Sequence, residues 1–211
     1  MPKVIDREAK KKVIAKCAAI AIAEHGLGTV TLSHIARRNH CTTGTLGYYF
    51  DGKDDIIKAA LMVTFDRLED RLSKNTNADE SFLEIIKEIL PIDETRRLEC
   101  RMWVNFWAHA SYSEPLRSLN EELSKSWRKL ILRCLRCSLP NLGCMPKNEL
   151  NFLAATTVSV LFGLIVQSVT QPSKFKLDFI VSLLSAYVES VKATAVIPEP
   201  PIVKLVTTQA R

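Results

Sequence analysis

The chain has 211 residues, 47% of them hydrophobic and 25% charged, enough for a buried core in one large domain or in a small domain followed by a larger one. The formal net charge is +6 and unevenly spread: residues 1–53 hold nine cations and four anions, whereas the remaining 158 hold twenty and nineteen. A basic patch of this kind favours a polyanion such as nucleic acid, the alternative being a solvated basic arm.

Helical periodicity dominates from the start, and no alternating strand pattern stands out, so the expected fold is all-α. The first helix spans about 6–25, with Ile14, Cys17, Ala18 and Ala21 on one face and Gly26 as its stop. Its opening resembles a secretory signal, with Lys10, Lys11 and Lys12 before an Ala/Ile-rich run. Lys16 interrupts that run, and Glu24 and His25 follow it. The reading is therefore a cytoplasmic protein whose six cysteines stay reduced. Thr31 or Ser33 caps a short second helix ending near His40, and a third covers about 43–50. Asp51-Gly52 is a turn, and Lys53 opens a longer helix reaching about Leu72.

The stretch 75–79 is a loop. Further helices are predicted over 80–90, 95–111, 114–139, 147–170 and 176–195, with Pro91, Pro115, Pro140, Pro146 and Pro172 at or near their ends. The segment 150–171 has no charged residue and is long enough to span a bilayer. It contains Asn151, Thr156, Thr157, Ser159, Gln167 and Ser168 and lacks aromatic belts, so a subunit interface is expected rather than lipid. Pro198-Glu199-Pro200-Pro201 marks a mobile tail. The division is thus 1–53, 54–196 and a tail over 197–211.

No Gly-rich phosphate loop or nucleophile elbow is present, and His25, His34, His40 and His109 show no metal spacing. Cys134-x-x-Cys137, with Cys144 beyond, has no nearby histidine to complete a zinc set. Neither an enzyme nor a metal or other cofactor is expected.

The informative segment is 31–50. Two short helices meeting across a tight turn need a small residue at the contact, here Ala36, and buried apolar residues at Ile35, Cys41 and Leu46. The second of them projects Thr42, Thr43, Thr45, Tyr48 and Tyr49, which can reach phosphates or base edges. The alternative for both tyrosines is core packing, and for Arg37 and Arg38 ordinary helix surface. Gly44 allows a close phosphate approach, the alternative being a simple helix start, and Lys53 adds its charge to the positive end of a helix dipole.

Ile35-Ala36-Arg37-Arg38, then Thr42-Thr43-Gly44-Thr45-Leu46-Gly47-Tyr48-Tyr49-Phe50 and Lys53, resembles the helix-turn-helix of the TetR family of repressors over about 7–60. The resemblance implies an N-terminal three-helix DNA-binding domain and a C-terminal helical ligand-binding and dimerisation domain. It implies double-stranded operator DNA as partner, read by a homodimer as two half-sites, and a small-molecule inducer. Thr31, Arg37, Thr42, Thr43, Gly44, Thr45, Gly47, Tyr48, Tyr49 and Lys53 form the expected DNA-contact set. The chain departs from the family pattern at three places. His40 stands for the usual turn glycine, Gly47 for a frequent DNA-contacting tyrosine, and Tyr49 for the usual histidine.

Dimerisation through the last two helices, also implied by the family, agrees with the apolar runs 152–169 and 177–191. Phe152, Ala155, Val160, Leu161, Gly163, Leu164 and Ser168 offer the size mix of close helix packing. Trp103-Val104-Asn105-Phe106-Trp107-Ala108, with Tyr112 and Glu114-Pro115-Leu116, is similar to the BetI-like branch of the same family, which includes a choline-responsive member. Trp103, Phe106, Trp107, Tyr112 and Trp127 are the expected inducer contacts. Aromatic faces attract a quaternary ammonium ion, and Glu99 or Glu114 offers a carboxylate. Simple core packing is the alternative for the aromatic set, and an all-helical adaptor without DNA binding is the alternative for the protein.

Overall fold

The computed structural model describes residues 7–74, 81–139, 142 and 145–194. The expectations for the 75–79 loop, Pro140, Cys144 and the tail fall outside these residues. Nine α-helices are found among them: α1 (Arg7–His25), α2 (Leu32–Arg38), α3 (Thr43–Tyr49), α4 (Lys53–Lys74), α5 (Phe82–Lys87), α6 (Glu94–Ala110), α7 (Glu114–Ser138), α8 (Lys147–Thr170) and α9 (Leu177–Thr194).

Local chemistry sets most of the boundaries. Gly26 follows α1 at φ +80°, the left-handed stop expected there. Thr31, rather than Ser33, caps α2. Its side chain accepts from the His34 amide while the His34 ring accepts from the Thr31 amide, a capping box with histidine in the usual acidic place. Thr42 caps α3, Ser81 caps α5 and Asp93 caps α6 through their side chains. Helix α5 is shorter than the predicted 80–90. Beyond Lys87 the amides of Glu88, Ile89 and Leu90 bond three residues back, tightening the chain. Pro91 then disfavours helical geometry at Leu90.

Helix α4 packs along α1 and also reaches α7, so it joins the N-terminal helices to the rest. Helices α1, α2 and α3 touch one another, α6 lies against α1, and α6, α7 and α8 pack mutually. One hydrophobic cluster runs from Ile14 and Ile35 through Leu61 and Phe106 to Leu161 and Val188. Helix α8 is long and apolar enough to cross a membrane, but here it packs on α6 and α7.

The α8–α9 faces correct one expectation. Leu161 and Leu164, on the predicted interface surface, are buried within the chain itself, and Ser168 is buried too. The apolar residues left outward are Phe152, 75% exposed, and Val166 on α8, with Leu177, Phe179 and Leu183 on α9. The two-sided apolar pattern of α8 hid which side was which.

Candidate functional site

The first site is the outer surface of α2 and α3. Thr42 Oγ1 accepts from the Thr45 amide at 3.1 Å and lies 3.0 Å from Thr45 Oγ1, so the two hydroxyls are locked together at the start of α3. Thr31, Thr43, Gly44 and Gly47 are exposed and Thr45 is half-buried. A Cβ at Gly47 would meet nothing within 4 Å, and one at Gly44 would meet only Thr42 Oγ1 at 3.7 Å. Both glycines therefore leave an open backbone on the outer face, which the fold does not require. Tyr48 is 68% exposed.

Tyr49 is placed differently from the expectation that it projects outward. It is 9% exposed and belongs to the core, with its ring edge-on to Tyr48 at 5.0 Å. Adjacent helical positions point about 100° apart, so the two tyrosines cannot share the outer face.

The cations divide by partner. Arg38 is paired with Glu24 at 2.6 Å, whereas Arg37 is exposed and has no ion-pair partner among the described residues. Lys53 is half-buried and donates to the Leu27 carbonyl at 3.2 Å, tying the start of α4 to the α1–α2 loop. Two residues that sequence reasoning passed over join this surface from α1. Arg7 donates to the Tyr48 carbonyl at 3.3 Å and lies 5.5 Å from its ring centre, and Lys11 lies 5.6 Å from the Phe50 ring. Their only signal in the sequence was the basic excess of the first 53 residues.

His40, in the turn between α2 and α3, has φ +50°. The sequence placed it where a turn glycine is usual, and the backbone keeps the left-handed geometry of that turn without the glycine.

The second site is an aromatic cluster between α4, α6, α7 and α8. Trp103 meets Phe106, Trp107 and Trp127 at ring-centre distances of 6.1, 6.0 and 5.7 Å. Phe65 of α4 packs edge-on to Trp127 at 5.6 Å. Phe162 of α8 stacks on Trp107 at 4.1 Å and meets Trp127 edge-on at 5.2 Å. Sequence reasoning missed Phe162 because nothing local tied it to the Trp103 helix. Tyr112, by contrast, lies outside the cluster: it is 68% exposed and hydrogen-bonded to His109. It follows the end of α6 at Ala110 and is not brought to the tryptophans.

A cavity of about 10 Å³ adjoins Trp103 and Trp127, with Arg71, Glu99 and Cys100 in its wall. It has room for a single water at most. Trp127 Nε1 and Arg71 Nε are buried with no hydrogen-bond partner among the described residues, and Arg71 Nε lies 4.0 Å from Glu88 Oε2. Of the two carboxylates considered, Glu99 is at this site but is held by Arg71 through bonds of 3.2 and 2.6 Å, with Arg67 at 4.0 Å. Glu114 is exposed and paired with Arg117. Burial, and next the Glu99 charge, push the Cys100 thiol up to about 12. Among the described residues no group of three or more His, Cys, Asp or Glu side chains could hold a metal.

Residues 14–60 match the profile of the TetR family of bacterial regulatory proteins, and residues 78–192 match that of the C-terminal domain of BetI-type transcriptional repressors. The chain is 24% identical over 197 residues to the HTH-type transcriptional regulator PksA of Bacillus subtilis, covering 90% of this chain and 94% of that one. It is 23% identical over 195 residues to the regulator BetI of Pectobacterium carotovorum, covering 90% and 97%. Among solved structures, a transcriptional regulator from Rhodococcus superposes with a TM-score of 0.76 at 21% identity, over 89% of this chain and 99% of that one. A Saccharomonospora viridis protein solved in complex with choline superposes with a TM-score of 0.69 at 22% identity, over 86% and 96%.

Proposed function

The chain belongs to the TetR family of transcriptional regulators, with a BetI-type repressor C-terminal domain, and from that premise we propose that it represses transcription as a ligand-released homodimer on a palindromic operator. The observation that carries this reading is the outer face of α2–α3. It presents an exposed tyrosine, the helix-capping Thr31 and Thr42, two open glycines and an Arg37 without an ion-pair partner among the described residues, with Arg7 alongside. In this reading α3 enters the major groove. Tyr48 and Thr45 read bases, while Thr31, Arg37, Thr42, Thr43, Gly44, Gly47 and the N-terminus of α4 at Lys53 hold phosphates. Tyr49 supports α3 from below. The protein works in the cytoplasm, where the operator is.

Dimerisation uses the outward apolar residues of α8 and α9, which two subunits would bury as a four-helix bundle about a two-fold axis. The inducer enters at Trp103, Phe106, Trp107 and Trp127. A compact quaternary amine such as choline is the first candidate, supported by the aromatic cluster and by the choline-bound relative.

The test is selection of bound sequences from a random duplex library, followed by anisotropy titration at several salt concentrations. A palindromic consensus is expected, with affinity falling steeply with salt. Lys53→Ala weakens binding to every duplex, whereas Tyr48→Ala erodes preference for the consensus. Binding that lacks both sequence preference and salt dependence refutes the reading and leaves a helical interaction module.

A further inference from the structure

A second groove shares no lining residue with the cavity beside the tryptophans. It lies where α6 faces the α8–α9 turn and has a volume of about 270 Å³, against about 70 Å³ between α1, α4 and α6 and about 10 Å³ beside Trp127. Val169, Phe175 and Ile180 supply apolar surface, and Arg97, Arg101 and Lys176 supply charge. Its wall contains no aspartate or glutamate. Arg97 is 3.2 Å from Glu94, but Arg101 and Lys176 have no ion-pair partner among the described residues. Arg97 and Arg101 are one helical turn apart on α6, and Lys176 approaches from the opposite wall, immediately before α9.

We propose that this groove binds a medium-chain carboxylate, whose head meets Arg101 and Lys176 and whose tail lies on Val169, Phe175 and Ile180. Charge complementarity selects the head: a quaternary amine is repelled here, which separates this ligand from the one proposed for the tryptophans. The apolar wall selects the tail, because a phosphate or a nucleic-acid backbone would use the cations and leave that wall in water. The site spans the helix that touches α1 and the turn joining α8 to α9, so an occupant contacts both.

The test is calorimetric titration of the full-length protein with octanoate, without DNA, so its outcome is independent of the operator reading. One site per chain is expected, with octanol, which has the same tail and no charge, binding about tenfold more weakly. Arg101→Glu combined with Lys176→Glu weakens octanoate about tenfold or more. Both side chains are exposed, and an unchanged circular dichroism melt confirms the fold. The proposal is overturned if octanoate does not bind or if the double charge reversal binds it equally well.

Discussion

His40 holds a left-handed φ of +50° with a full side chain, in a turn on which the placement of α3 depends. A non-glycine residue there costs about 1–2 kcal/mol, and glycine returns about 0.5–1 kcal/mol of that in unfolded-state entropy. His40→Gly is therefore expected to raise stability by about 0.5–1 kcal/mol in urea denaturation; a loss of stability would show that the ring makes compensating contacts. The neighbouring tyrosines separate cleanly by the same kind of measurement. Tyr49→Ala empties core volume and costs about 3 kcal/mol, whereas Tyr48→Ala, on the outer face, stays within about 0.5 kcal/mol of the parent. The thiols divide by burial too. Cys100 is pushed up to about 12 and Cys134 to about 11, in both cases chiefly by burial, while Cys137 is exposed. A thiol near 11 has only about one part in a thousand as thiolate at pH 8. Iodoacetamide at that pH should thus modify Cys137 and spare Cys100 and Cys134, as read by peptide mass spectrometry. Rapid labelling of Cys100 would mean that the aromatic cluster opens readily.

At the scale of elements, α8 is the helix whose two faces matter most. Its inner face carries Leu161, fully buried, and Phe162, stacked on Trp107; its outer face repeats Phe152, Ser159 and Val166 at seven-residue intervals. A charge on the outer face is expected to separate subunits without unfolding them. Phe152→Asp together with Phe179→Asp should sediment as a folded monomer at concentrations where the parent is a dimer. Leu161→Asp should instead lose the cooperative thermal transition, because it buries an unpaired carboxylate. A dimeric Phe152→Asp/Phe179→Asp protein would remove this face from the interface. The short helices follow local rules more closely. Thr31 caps α2 through its side chain, so Thr31→Ala should cost about 1 kcal/mol.

For the whole molecule, the question is how a ligand at the site proposed between α6, α7 and α8 would act on the surface proposed to bind DNA. Helix α6 connects them. A Cβ on Gly26 would come within 3.3 Å of Asn105, and one on Gly28 within 3.2 Å of His109, so the α1–α2 loop sits tightly against the same helix that bears Trp103 and Trp107. A ligand shifts the balance only if it prefers one arrangement of these helices. The tryptophan faces are covered by aromatic neighbours, Phe162 above all, and a ligand that takes its place must break stacking of about 0.5–1.5 kcal/mol. Phe162→Ala removes that cost, so choline affinity should rise by up to about tenfold in a tryptophan-fluorescence titration. Unchanged affinity would mean that choline does not occupy the Phe162 position.

Much of this was legible in the chain alone. The helical period, the prolines and the caps located every described helix to within a few residues, because those signals act over one or two turns. The segment 31–53 disclosed its family because a helix-turn-helix is built from near neighbours. What lay beyond sequence reasoning was which way a side chain points when both faces of a helix are apolar, and which distant residue meets it. Tyr49 turned inward, Leu161 and Leu164 faced the chain's own core, Tyr112 stood apart, and Phe162 and Arg71 joined the tryptophans from helices α8 and α4. Those choices depend on how long helices stack, which composition permits in several ways and only close packing of the whole core resolves.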